Sequence, residues 1–96
     1  MEFGLPDRLV AEIQGLAGAH GLHRVVLFGS RARGDYSAVS DIDLAVTGGD
    51  VNAFALDVEE ETWTLLRFDV VNLDGPVQRE LMESIEREGR VIYEKV

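Results

Sequence analysis

The chain is 96 residues long and carries 18 acidic against 9 basic side chains, a formal net charge of −9. Its 46% hydrophobic content is typical of a globular protein and excludes intrinsic disorder. The absence of cysteine excludes both a disulfide framework and a thiolate metal site. Its length predicts one small domain spanning residues 1–96.

The charge balance and the N-terminus limit the expected partners and location. Phosphate backbones are held mostly by clustered Lys and Arg, and the only lysine here is Lys95, so broad nucleic-acid binding is not expected. The start, MEFGLPDRL, lacks the basic and apolar regions of a signal peptide, and no apolar run is long enough to span a membrane. We therefore expect a cytoplasmic protein without membrane contact.

Helical and strand patterns alternate along the chain. Helical spacing of apolar residues predicts a first helix over 6–20, and a short apolar run predicts a buried strand over 25–28. A polar connection, 30–40, leads to a second strand over 41–47. The remaining predicted elements are a helix over 51–65, a strand over 68–73, a helix between Pro76 and Gly89 and a short strand over 91–93. This order predicts an α/β (α+β) fold, a small mixed β-sheet with helices packed on it.

The segment FGSRARGDYSAVSDIDLAV, residues 28–46, contains an electropositive stretch in an otherwise acidic chain. Gly29 allows close backbone approach, and Ser30 offers a hydroxyl and an amide, so this turn is predicted to bind phosphate. Arg31 and Arg33 are predicted to add positive charge for the same phosphate. The alternative for these two residues is that they are solvated loop arginines.

An aspartate pair follows this turn. Side chains two apart on a strand point to the same face, so Asp41 and Asp43 are predicted to project together. Adjacent carboxylates repel unless a cation neutralises them, and oxygen ligands favour Mg²⁺ or Mn²⁺. Asp69, an acid within the apolar strand FDVVNL, is predicted to join them if the third strand neighbours the second. The predicted chemistry is metal-assisted phosphoryl or nucleotidyl transfer with one or two divalent ions. The alternative for Asp69 is a structural acid.

The motifs together resemble a known family. Gly29-Ser30, ten intervening residues and then Asp41-x-Asp43 are similar to the nucleotidyltransferase superfamily that includes DNA polymerase beta. The segments GSRARG, SDIDLAV, FDVVNL and IEREGRVIY resemble its minimal (MNT) branch. This resemblance implies Mg²⁺-dependent transfer of a nucleoside monophosphate, commonly AMP from ATP, to a hydroxyl with release of pyrophosphate. It assigns Gly29 and Ser30 to the triphosphate, Asp41 and Asp43 to both metal ions, and Asp69 to the third catalytic carboxylate.

The resemblance also implies a partner. Minimal members are similar to a catalytic half without an acceptor-binding domain, and many are paired with a small all-helical HEPN-type protein. In some pairs the helical protein is an RNase toxin and the transferase is an antitoxin that adenylylates it. The alternative is an antitoxin that acts sterically and whose nucleotide site is vestigial. A homodimer would suit the thin core and exposed final strand, and transfer to a small molecule would need an acceptor pocket that a chain this short hardly builds.

Overall fold

The computed structural model describes residues 4–96. This part of the chain forms four helices and four strands. In chain order they are α1 (Asp7–Ala19), β1 (Arg24–Phe28), α2 (Ser30–Arg33), β2 (Ile42–Thr47), α3 (Val51–Glu61), β3 (Phe68–Asn72), α4 (Arg79–Glu88) and β4 (Arg90–Glu94). The predicted single domain spanning 1–96 stays a prediction, since residues 1–3 lie outside the described part.

The four strands form one mixed sheet in the order β3-β2-β1-β4. β1 pairs antiparallel with both β2 and β4, whereas β2 and β3 are parallel and joined through α3. A parallel pair needs such a crossover, and a helix is its usual form. The mixed sheet with packed helices confirms the predicted fold class.

The larger core lies between one face of the sheet and helices α1 and α3. From α1 it takes residues at helical spacing, Leu9, Ile13 and Ala17, none of which is exposed. From β2 it takes alternate residues, Ile42, Leu44 and Val46, which are also fully buried. This alternation was predicted from the sequence, and it turns the residues between them, including Asp43, to the opposite face.

The opposite face carries a smaller apolar cluster under α4. Its buried members are Val26, Phe28, Ala45 and Ile85. On the same face, at the start of β2 and β3, Asp43 is half-buried and Asp69 is exposed. The described residues include no helix that is both long and apolar enough to cross a membrane.

Most elements begin or end within one residue of the predicted bounds, and three larger differences stand out. The 30–40 connection includes a one-turn helix, α2, that lies between the left-handed glycines Gly29 and Gly34. α3 ends at Glu61, short of Leu65, because Thr62 is extended and its hydroxyl donates to the Val58 carbonyl at 2.7 Å. The last helix begins at Arg79 and not at Pro76.

Candidate active site

The register of the parallel strands brings two of the predicted carboxylates together. Asp43 of β2 lies opposite Asp69 of β3. Directly opposed residues share a face, and the next pair on that face, Ala45 and Val71, packs under α4. Asp43 and Asp69 therefore project together on the α4 side, beyond its apolar cluster. The condition set on Asp69, that its strand neighbours β2, is met.

Asp41 lies one residue before β2 and is exposed. The pKa of Asp43 is raised from 3.8 to about 6. Burial of Asp43 is the largest cause, and the neighbouring carboxylates of Asp69 and Asp41 add to it. The nearby Arg33 guanidinium acts in the opposite direction. Three carboxylates thus share one electrostatic environment. Asp43 is the most buried of the three, which is why the like charges around it affect its pKa strongly.

Gly29 lies directly against the Asp43 carboxylate. A β-carbon built at Gly29 would overlap the Asp43 Oδ2 atom. The Gly29 backbone also has φ 75° and ψ −158°, a region open almost only to glycine. Close contact and backbone conformation therefore both require glycine here. This places the predicted phosphate turn within van der Waals reach of the carboxylates.

Ser30 begins α2 immediately after Gly29. The Gly29 carbonyl accepts hydrogen bonds from the amides of Ala32 and Arg33, and the Ser30 carbonyl accepts one from Gly34. These bonds fold the turn into a compact helical cap whose first residue is half-buried. The hydroxyl and amide of Ser30 are thus carried by a fixed element beside Asp43, as a phosphate-binding turn requires.

Arg31 differs from its predicted role. Its side chain is buried, with 5% exposure, and its guanidinium donates to four backbone carbonyls and stacks on Tyr36 at 4.8 Å from the ring centroid. It is therefore not a solvated loop arginine. Because four of its five N–H donors are already used within the chain, these contacts correct the expected phosphate contact in favour of a structural role.

Arg33 remains at the site and is accessible. Its Nε donates to Asp35 at 3.2 Å, and its Nη1 bonds both carboxylate oxygens of Glu88 at 3.1 and 3.2 Å. The Arg33 side chain is 43% exposed, and Asp35 is more exposed still, whereas Glu88 is only 16% exposed. Water therefore screens the Asp35 ion pair more than the Glu88 ion pair. The guanidinium remains accessible from the solvent.

The donor set fits a divalent cation bound together with a phosphate. Three carboxylates offer only oxygen, and Mg²⁺ in proteins is usually held by one or two carboxylates with the remaining positions filled by water and substrate phosphates. Among residues 4–96, no three His, Cys, Asp or Glu side chains are gathered closely enough to hold a metal ion by themselves. These carboxylates would therefore need further ligands, such as water or a substrate phosphate, to hold a metal ion.

Sequence reasoning missed Glu88 and Tyr36 as neighbours of the two arginines. Glu88 is 55 positions from Arg33, at the end of α4. No local pattern could have shown that this helix end returns to α2. Tyr36 lies in the loop, and an aromatic residue five positions after an arginine is not a recognised signal for stacking.

Comparison with known proteins agrees with this geometry. The family model described as Polymerase beta, Nucleotidyltransferase matches residues 12–96. The chain is also 35% identical over 82 residues to "Putative protein adenylyltransferase MJ0604" of Methanocaldococcus jannaschii, a match that covers 75% of this chain and 79% of that protein. The chain therefore belongs to the polymerase beta nucleotidyltransferase family, which confirms the enzyme class and the family predicted from the sequence.

Two solved structures show the same fold. A chain from the crystal structure of a toxin–antitoxin with AMP-PNP matches with a TM-score of 0.74 and 22% identity, over 90% of this chain and 73% of that one. A chain from the complex of a tri-AMPylated Shewanella oneidensis HEPN toxin with an MNT antitoxin matches with a TM-score of 0.67 and 20% identity, over 91% and 71%. At these identities the likeness establishes the fold.

Proposed function

We propose that this protein transfers a nucleoside monophosphate, AMP from ATP, to a hydroxyl group of a partner protein, using Mg²⁺. The observation that carries the proposal is the parallel register of Asp43 and Asp69, with Gly29 packed against the first of them. It supports a single site in which carboxylates and a phosphate-binding turn meet. Family membership supports the reaction type, and the site residues are those assigned from the sequence, except Arg31.

The residues have distinct roles in the proposed reaction. Asp41 and Asp43 would hold two Mg²⁺ ions, with Mn²⁺ as a substitute, and Asp69 would complete the second site. When bound, these ions would neutralise the carboxylates and the phosphate charge. The amide and hydroxyl of Ser30 bind the terminal phosphates, and Arg33 stabilises the charge that builds up on the leaving pyrophosphate.

The transfer step requires a proton acceptor as well as a nucleophile. The oxygen of the partner's hydroxyl group bonds to the α-phosphorus, and the bond from that phosphorus to the pyrophosphate oxygen breaks. The proton of the hydroxyl group is released in the same step. Asp69 is exposed on the edge strand and faces Asp43. It is therefore the carboxylate best placed to take this proton from an approaching hydroxyl.

The identity of donor and acceptor rests on the relatives. One is named as a protein adenylyltransferase, and one structural neighbour is a complex that contains an AMPylated HEPN toxin. By analogy we propose a small, all-helical HEPN-type protein as both partner and acceptor, with this chain as the antitoxin. The cytoplasmic location and a homodimer stay predictions.

Transfer can be tested directly with labelled nucleotide. The protein is incubated with a HEPN-type partner, Mg²⁺ and ATP labelled at either the α- or the γ-phosphate. Label from the α-phosphate alone should appear on the partner, because the γ-phosphate leaves in pyrophosphate. EDTA should abolish labelling and Mn²⁺ should restore it. Asp7→Asn, a change to an exposed acid in the first turn of α1, is the matched control and should label normally.

The same experiment decides between catalysis and steric action. No labelling of any partner at saturating Mg²⁺ and ATP would contradict the proposal. If the Asp43→Asn variant fails to label the toxin but still neutralises it fully, the steric alternative left open by the sequence would be favoured. Loss of both effects together would support catalysis as the route to neutralisation.

A further inference from the structure

Arg31 links the two halves of the proposed site. It is the second residue of α2, immediately after Ser30 of the phosphate turn. Its Nε donates to the Ser40 carbonyl at 3.0 Å, and its Nη2 donates to the carbonyls of Ser37 and Ala38 at 3.2 and 3.3 Å. One side chain therefore holds the turn of residues 37–40, which we call the presenting turn because Asp41 follows it.

The other side of the guanidinium is equally well fixed. Nη1 donates to the Gly4 carbonyl at 2.6 Å, and the Gly4 amide donates back to the Arg31 carbonyl at 3.2 Å. A β-carbon at Gly4 would lie within 3 Å of Arg31 and Tyr36 atoms, so the packing is close. Because α1 begins three residues later, the guanidinium is anchored to the body of the fold and cannot drift with the loop.

Asp41 depends on this anchor more than Asp43 does. Asp43 lies within β2, where strand pairing on both sides sets its position. Asp41 lies outside the strand, between two residues that are held differently. Ile42 is fixed by a 2.8 Å bond from its amide to the Arg67 carbonyl, whereas Ser40 is fixed by Arg31.

Burial indicates that this contact is specific. Charged groups are rarely buried without a partner, and among residues 4–96 no carboxylate pairs with Arg31. The planar fork of an arginine reaches carbonyls in several directions at once, whereas the point charge of a lysine cannot. Substitution of Arg31 by lysine would therefore keep the positive charge but lose the planar arrangement of hydrogen-bond donors.

We propose that Arg31 is a positioning residue that holds Asp41 beside Asp43 through the presenting turn and so sets the affinity of the site for a divalent cation with nucleotide. This inference rests on the proposed function. The Arg31 guanidinium already donates to four backbone carbonyls, so this role is indirect. It acts on the site through three backbone carbonyls, as residues that support metal ligands commonly do.

The test is a double-mutant cycle between Arg31→Lys and Asp41→Asn, read by calorimetric binding of Mn²⁺ with the non-hydrolysable analogue AMP-PNP. With Asp41 present, Arg31→Lys should weaken this binding by about 10-fold or more, the range seen when a support of a metal ligand is lost. In the Asp41→Asn background, Arg31→Lys should weaken binding little further, because the carboxylate that Arg31 is proposed to position is absent. Arg79→Lys is the matched control, because Arg79 is exposed in the first turn of α4, and this variant should bind normally.

A second readout does not depend on nucleotide. Amide hydrogen exchange over residues 37–41 should become faster in Arg31→Lys, while the strands keep their protection. If Arg31→Lys does not fold, Ser40→Ala takes its place, since the hydroxyl of the half-buried Ser40 closes the presenting turn by accepting the Ser37 amide at 2.9 Å. It should weaken binding in the same direction by a smaller factor.

The outcomes separate this inference from the proposed function. Unchanged binding by Arg31→Lys, or by Ser40→Ala where it replaces it, would overturn the positioning role. An equal loss in both Asp41 backgrounds would overturn it too, since it would indicate general damage. If the unsubstituted protein shows no metal-dependent nucleotide binding, the proposed function is overturned instead. In that case, unchanged amide hydrogen exchange over residues 37–41 in Arg31→Lys would still overturn the positioning role of Arg31.

Discussion

Both ends of the parallel β2–β3 pair carry aspartates, and their surroundings shift the aspartate pKa in opposite directions. After the strands, Asp74 accepts the Thr47 hydroxyl at 2.5 Å and the Gly48 amide at 2.7 Å, and these bonds lower its pKa. At the start of the strands, burial and two neighbouring carboxylates raise the pKa of Asp43 to about 6. Among residues 4–96, no hydrogen-bond donor contributes to that shift.

The difference separates a structural acid, Asp74, from the proposed functional acid, Asp43. Hydrogen bonds to Asp74 tie the end of β2 to the turn after β3, which supports the pairing of the two strands. At the other end the fold gathers like charges without satisfying them, a cost that folded proteins accept mainly at functional sites. Arg33 offsets part of this repulsion. In the proposed function, a cation carried with a triphosphate would supply the rest.

The largest effect is expected from removing a carboxylate at the unsatisfied end. Asp41→Asn or Asp43→Asn should reduce AMP transfer by about 1,000-fold or more, since the several kcal/mol of transition-state stabilisation from a bound ion would be lost. Transfer of labelled AMP to the partner measures this. Asp74→Asn is the matched change at the satisfied end and should retain transfer. A similar loss of transfer in Asp74→Asn would contradict the different roles assigned to the two ends of the strand pair.

Gly29→Ala should come next in effect. The backbone of Gly29 is strained for any other residue by about 1–3 kcal/mol, and the added methyl group would overlap the Asp43 carboxylate. We expect a lower unfolding midpoint and a loss of nucleotide binding greater than the loss of stability explains. Gly34→Ala, at a left-handed position with open space around it, controls for backbone strain alone. Equal nucleotide binding in the two variants would contradict the close contact.

The raised pKa of Asp43 predicts how stability depends on pH without metal. The folded chain holds the Asp43 proton more tightly than the unfolded chain, so this residue costs stability as the pH rises from about 4 to about 6. In EDTA, Asp43→Asn should therefore be more stable than the unsubstituted protein by about 1–3 kcal/mol at pH 8, and nearly equal to it at pH 4. Denaturant unfolding at the two pH values measures this.

Addition of Mg²⁺ and AMP-PNP should reverse that order. The ions stabilise the unsubstituted chain at pH 8 and have little to bind in Asp43→Asn. A stability difference that is the same at both pH values would show that Asp43 is not strained by its charge.

The smallest effect is expected at the satisfied end. Asp74→Asn keeps the shape of the side chain and weakens its two charge-assisted bonds. Because Asp74 is exposed, we expect only a small fall in the unfolding midpoint at pH 7. That fall should disappear at low pH, where the folded-state advantage of the charged form is lost. A rise in stability at pH 7 would contradict the assignment of Asp74 as a structural acid.

Much of this architecture could be read from the sequence because it follows from local patterns. The alternation that buries Ile42 and Leu44 also fixes the direction of Asp43, and four strands and three longer helices follow from hydrophobic spacing and from Gly and Pro. The one-turn helix α2 could not be predicted, because its hydrogen bonds depend on glycine conformations at both ends. The overrun of α3 to Leu65 arose because Thr62 ends the helix through a side-chain bond that spacing does not reveal.

The site was predictable where chemistry alone determined it and not where packing did. Asp69 needed the order of the strands, which the sequence left open and the parallel register with β2 provides. Arg31 and Arg33 looked equivalent in the GSRARG run, yet one is buried and the other exposed. A helix presents residues two apart to different sides, and only the fold decides which side is the interior.

The position of β3 at the outer edge of the sheet has a consequence for control of the enzyme. In the described part of the chain its only strand neighbour is β2, so local detachment of β3 should cost less than global unfolding. Detachment would withdraw Asp69, the proposed proton acceptor, and would also remove the pairing that helps to position Asp43 and Ile42. The proposed site would then be assembled only while β3 is paired.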